Sequence, residues 1–149
     1  MRRLSGVLLA AAIVLFPAPS TTVQAQDKTT FNGEIALWSF EIKPNLTADY
    51  ERVLAAVKEG LAKSERPEAR RMAAGWKVMR GVTNPGTGNV IYTHILDPVV
   101  PNADYTIMQI VYETFPDPME QMRIYEMYRG AFAANLGANQ GRVVIDFAR

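Results

Sequence analysis

His94 is the only histidine in the chain, and it stands in the run Val90-Ile91-Tyr92-Thr93-His94-Ile95-Leu96. Alternation along that run puts Tyr92 and His94 on one face of a strand. An imidazole beside a phenol can serve as acid or base, donate a hydrogen bond or ligate iron, so His94 is the one catalytic candidate. The same placement equally suits a half-buried histidine bonded to a backbone carbonyl or to water. Around it, Trp38, Trp76, Tyr92, Tyr105, Tyr112, Tyr125 and Tyr128 form an aromatic inventory suited to a planar apolar ligand. Trp38, Tyr92, His94 and Tyr112 are the candidate ligand-binding set. Aromatic residues at core spacing are also ordinary core, because they dominate buried area.

Other chemistries find little support. One histidine and no cysteine exclude a His-rich metal site and thiol catalysis. Met119, Met122 and Met127 with His94 form a soft set of the kind copper(I) takes. However, Met127 falls off the helical line of the other two, and methionine commonly fills cores. No metal and no cofactor is expected. The chain has no phosphate loop, G-x-S-x-G elbow, H-E-x-x-H pair or Gly-rich dinucleotide turn. Ser39 and Ser64 lack a linked histidine, and Asp97 before Pro98 reads as a strand terminator. Arg66, Arg70 and Arg71 cluster, but Glu65 and Glu68 among them make an ion-paired, solvated face.

The elements that must position these residues begin after a targeting signal. Arg2 and Arg3 precede an apolar run from Leu4 to Phe16, and Val23-Gln24-Ala25 offers small residues at a cleavage site, so residues 1–25 read as a signal peptide. Export to the periplasm or the exterior follows. Cleavage removes two of the sixteen basic residues and no acid, leaving fourteen against fifteen and a formal charge of −1. That balance argues against nucleic acid as a partner. No later apolar run is long enough to span a bilayer, so no membrane contact is expected after cleavage. Residues 26–32 read as a flexible polar leader, and residues 33–149 as a single domain.

Within that domain, residues 33–43 alternate as a first strand, with Ala36, Trp38, Phe40 and Ile42 on one face. Residues 48–63 form an amphipathic helix with Thr47 as its cap, and Ser64 caps a short second helix through Pro67 and Met72. Asn45-Leu46-Thr47 matches a glycosylation acceptor, a three-residue pattern that also arises by chance. Residues 75–96 read as a β-hairpin around a loop rich in Asn84, Pro85, Gly86 and Gly88. Residues 105–115 fit a helix through Tyr105, Met108, Tyr112 and Phe115, while their β-branched content also fits a strand. Asp117 and Pro118 start the next helix, with Met119, Met122, Tyr125, Tyr128 and Phe132 as its buried stripe. Gly137 and residues 139–141 break the chain before a last strand, Arg142-Val143-Val144-Ile145-Asp146-Phe147.

The order is therefore β-α-β-β-α-β, a ferredoxin-like α+β arrangement with a four-stranded antiparallel sheet and helices on one face. Several strands are apolar on both faces, and a two-fold homodimer would cover the face that the helices leave bare. With W-S-F-E-I-K-P, G-W-K-V and R-V-V-I-D-F as strand cores, the chain from Glu34 to Phe147 resembles the dimeric α+β barrel superfamily. It is similar also to small exported bacterial proteins of uncharacterised function. The resemblance implies a barrel-forming dimer. Members include cofactor-free monooxygenases, haem-degrading enzymes, haem-dependent chlorite and peroxide enzymes, and proteins without known chemistry, so fold by itself assigns no activity.

Three functions are expected to compete. The first is an exported binder of a small apolar or aromatic ligand, with a pocket between sheet and helices and residues 105–132 as lid. The second is a cofactor-free or haem-linked oxygenase acting on an aromatic compound, in which His94 and Tyr92 polarise the substrate while Trp38 stacks on it. The third is a structural dimer without a pocket.

Overall fold

The computed structural model describes residues 28–148, so the expected signal peptide (1–25) lies outside the described residues. Strand β1 (Ile35–Ile42) is followed by a 3₁₀ turn (Pro44–Leu46), α1 (Thr47–Lys63) and α2 (Ala69–Gly75). The hairpin β2 (Trp76–Thr83) and β3 (Val90–Leu96) leads into α3 (Ile107–Thr114), α4 (Pro118–Ala131) and β4 (Phe132–Gly141). The four strands form one sheet in the order β2-β3-β1-β4, with every neighbouring pair antiparallel. The fold is α+β.

Period-two alternation decides which face of the sheet is covered. Ala36, Trp38, Phe40 and Ile42 of β1 are buried, and β3 answers them with Leu96, His94, Tyr92 and Val90 in register. These side chains meet Tyr50, Val53, Val57 and Leu61 of α1, spaced as one helical stripe, together with Ile107, Ile110 and Val111 of α3. Residues 105–115, open to either reading in sequence, thus contain a helix. At the start of β2, a Cβ on Gly75 would stand 2.6 Å from the Pro98 carbonyl oxygen, so only glycine lets α2 turn into β2 beneath that segment.

The opposite face is largely uncovered. Leu37 and Met79 are about half exposed, while Ile35, Ile91 and Ile95 are partly buried. Glu41 on this face is nevertheless only 3% exposed. Its carboxylate accepts hydrogen bonds from the Asn84 amide, from the Thr87 hydroxyl at 2.9 Å and from the Asn89 amide at 2.9 Å, all in the β2–β3 loop. Those bonds, Asn89 and Asn84 foremost, hold the Glu41 carboxyl below the usual carboxylate range against the opposing effect of burial.

Several expectations need correction. The last strand is Phe132–Gly141, not residues 142–147, which form no regular element and leave Val144, Ile145 and Phe147 exposed. The backbone of Lys43 donates to the Ala131 carbonyl at 2.9 Å, which sets the chain against the end of β1 as soon as α4 finishes. Pairing then runs from Phe132 opposite Ile42 to Gly141 opposite Ile35, and the length of β1 is used up before Val143 arrives.

In α4, Met119 and Met122 of the expected stripe are exposed (76% and 55%), whereas its Tyr125, Tyr128 and Phe132 pack partly buried against the core beside the fully buried Ile124 and Ala131. Thr47 begins α1 instead of capping it, because the 3₁₀ turn feeds the helix through Leu46. Ser64 accepts from the Arg66 amide in a local turn, and α2 starts only at Ala69. Asp117 caps α4 as expected, accepting from the Met119 amide at 2.9 Å. The described end of the leader is anchored: Phe31 is buried against Trp38 and Tyr105, and Thr29 bonds to Thr106.

Candidate functional site

The middle of β3 holds His94 between its two neighbours in the sheet, opposite Trp38 of β1 and Val78 of β2. The imidazole is fully buried. Its Nδ1 accepts the indole N–H of Trp76 at 2.9 Å, and its Nε2 lies 2.7 Å from the Tyr50 hydroxyl oxygen. An indole nitrogen only donates, so Nδ1 carries no proton and the ring proton sits on Nε2, donated to Tyr50. Rings of Phe40 (5.1 Å) and Trp38 (5.6 Å) complete the cage. Burial pushes the His94 pKa down to about 4 and the Tyr50 phenol up, the latter helped by Tyr128 and Tyr92.

Tyr92, one pleat away, donates to the Glu51 carboxylate at 2.6 Å, and Arg80 stands 3.3 Å from the same oxygen. Burial first, and then the Glu51 bond, push the Tyr92 phenol up to about 12. Trp38 donates to the Asn135 side-chain oxygen at 3.3 Å. Trp38, Tyr92 and His94 therefore share the helix-covered face of the sheet, each with its polar atom engaged inside the protein. Tyr112 stands apart, 42% exposed on α3.

Both ring nitrogens of His94 are occupied, so neither an iron nor a substrate proton has a free partner there, and the haem implied by the resemblance does not fit this residue. The copper set is not assembled either. His94 is enclosed while Met119 and Met122 face outward, and no group of three or more His, Cys, Asp or Glu residues suited to a metal occurs among the described residues. In the basic cluster, Arg66 pairs with Glu113 at 3.3 Å and stands 3.8 Å from Glu68.

Space for a ligand lies on the far side of Trp76. A cavity of about 480 Å³ opens between α1, α2 and β2. Leu54, Val57 and Leu61 supply the α1 wall, Trp76 and Val78 the sheet wall, and Ala73 and Ala74 the α2 wall. The two alanines explain the space: the Met72 side chain is buried in the core, and Ala73 and Ala74 have only methyl groups to fill the gap. Lys58 and Lys77 also line the cavity. It lies beside the start of the hairpin and not beneath residues 105–132.

Tyr50 and Trp76 are the partners that inspection of the sequence left unassigned. Tyr50 lies on the buried stripe of α1 and Trp76 belongs to the aromatic inventory, but only the register of β2 on β3 brings the indole to His94. Nothing in the type or spacing of Ala73, Ala74, Lys58 and Lys77 marks them. No protein family, curated protein or solved structure matches this chain.

Proposed function

We propose that this chain is a small-ligand-binding protein of the ferredoxin-like, dimeric α+β barrel type, acting in the periplasm or outside the cell. The observation that carries the binding reading is the apolar cavity walled by α1, α2 and Trp76, whose volume of about 480 Å³ lies within the usual range for ligand pockets. The ferredoxin-like reading is supported by β3 lying between β1 and β2, and β1 between β3 and β4, with helical segments joining the parallel members of each set. The bare sheet face with Leu37, Met79 and the partly buried isoleucines supports a second copy as its cover. The signal-like residues 1–25 support export.

Native mass spectrometry of the mature protein from the periplasm tests the reading. The expected result is a dimer with an added small mass that disappears in Ala74→Phe. A monomer would remove the barrel assembly, and an added mass that survives Ala74→Phe would remove the cavity as its seat. The oxygenase reading has no observation in its favour, since the polar atoms of His94, Tyr92 and Trp38 are engaged with one another's neighbours inside the core.

A further inference from the structure

Strand β2 stands at the edge of the sheet, and apart from Trp76 and Gly81 its residues are exposed. Just before it, the Asp97 amide donates to the Gly75 carbonyl at 2.8 Å. Antiparallel pairing alternates, so Lys77 and Met79 turn their backbone groups to Ile95 and Thr93 of β3, while those of Val78 and Arg80 turn to the free edge. Among the described residues, no backbone bond reaches that edge. Side chains alternate in step. Trp76, Val78 and Arg80 lie on the helix-covered face, where the first two wall the cavity, and Lys77 and Met79 lie on the open face.

The tail beyond β4 has the matching pattern. Val143, Val144, Ile145 and Phe147 are strand formers with exposed side chains (87% for Val144, 96% for Phe147) and belong to no strand. When extended, the tail carries Val143, Ile145 and Phe147 on one side and Val144 and Asp146 on the other. Laid antiparallel on β2 with Ile145 opposite Val78, it sets Phe147 beside Trp76 and Val144 beside the half-exposed Met79. Asp146 then falls opposite Lys77, which has no ion pair among the described residues. A one-residue slip would turn Asp146 toward the apolar cavity wall instead.

We infer that residues 143–147 of a second copy of this chain add a strand to β2 in this register. The tail cannot do so for its own chain. Its origin on β4 lies three strands from β2, about 14 Å across the sheet. The step from Gly141 to Val143 spans about 7 Å at most, yet Val143 must lie beside Arg80. Releasing the tail costs the exposed bond from the Val143 amide to Glu34 at 3.0 Å. So short a strand buries less than a stable interface needs, so the exchange is weak and most tails are free at low micromolar concentration. The exchange goes beyond the binding function proposed above: Phe147 seated against Trp76 fills the mouth of the cavity, so tail and small ligand exclude one another.

The chain has no cysteine, so introduced cysteines report the register cleanly. Opposite Lys77, Asp146 takes a non-hydrogen-bonded position, where Cα atoms about 4.5 Å apart admit a disulfide. Full mature Lys77→Cys mixed with full mature Asp146→Cys, both at exposed positions, should on oxidation give a mixed cross-link identified by mass. It should form several-fold faster than the link from Lys77→Cys to Val144→Cys. A synthetic peptide of residues 142–149, added in excess, should suppress the cross-link and should change the tryptophan fluorescence of the unsubstituted protein. Phe147→Ala in the peptide should weaken that binding about tenfold or more, and Asp146→Lys about fivefold. No mixed cross-link, or equal rates for the two pairs, overturns the added strand in this register, as does a peptide indifferent to Phe147→Ala. A chain carrying both Lys77→Cys and Asp146→Cys that closes on itself in preference overturns the second copy as the source. None of these results touches the bound small mass by which the cavity itself is judged.

Discussion

Replacing His94 by alanine strips the Trp76 indole and the Tyr50 hydroxyl of their shared partner in a place closed to water. Each buried polar group left without a partner costs about 1–3 kcal/mol. The variant should therefore lose about 2–4 kcal/mol of unfolding free energy in urea, and parental stability would show that the two bonds contribute nothing. The same histidine links stability to pH. Folding lowers its pKa from 6.5 to about 4, so the unfolded chain binds the proton more readily in that window. Stability from this group is complete above about pH 6.5, falls as pH drops toward 4, and amounts to about 3 kcal/mol over the range. Glu41, whose carboxyl folding also lowers, adds a loss in the same direction at more acidic pH. Urea midpoints measured from pH 7 to 4 should slope downward for the parent, and His94→Gln should flatten the part above the carboxylate range.

Helix α4 shows how a side-chain stripe can be misplaced without losing the helix. Met119, Met122, Tyr125 and Tyr128 follow helical spacing, and Ile124, Tyr128 and Ala131 follow it equally well; the fold buries Ile124 and Ala131, packs Tyr125 and Tyr128 half-buried beside them and leaves Met119 and Met122 exposed. Met119→Gln with Met122→Gln should leave stability within about 0.5 kcal/mol, whereas Ile124→Ala should cost about 2–4 kcal/mol in the same urea experiment. The pleat of β1 and the hairpin were legible because alternation and turn residues report local geometry. So was the Asp117 start of α4. Strand β4 was not: Phe132-Ala133-Ala134-Asn135-Leu136-Gly137 is poor in strand formers, while Val143-Val144-Ile145 is rich in them. Backbone pairing with β1, fixed by where α4 ends, outweighs that propensity. Removing residues 143–149 should accordingly leave the far-ultraviolet spectrum unchanged and lower stability by less than about 1 kcal/mol. The cavity is not legible in the sequence for another reason: small side chains such as Ala73 and Ala74 define it only once α1, α2 and β2 converge.

At the scale of the whole molecule, the sheet has one face packed and one face largely open, and at one end of the open side the β2–β3 loop reaches over to Glu41. A second copy seated there would bury Leu37. Leu37→Glu should turn the dimer expected in native mass spectrometry into a monomer while preserving the His94 cage on the other side, and a dimer unaffected by that change would place the contact elsewhere. Edge strand β4 meets β1 with two shifts of register, between Ser39 and Phe40 and between Glu41 and Ile42, and Gly137 beside the first has a φ of 87°. Such bulges absorb an extra residue by bending the edge, whereas a one-residue slip in the central strand would turn every side chain to the other face. The chain can thus change length around Gly137 without disturbing its interior. That makes this bulge the place where descendants of the sequence can gain or lose residues, and where a peptide label can be spliced in.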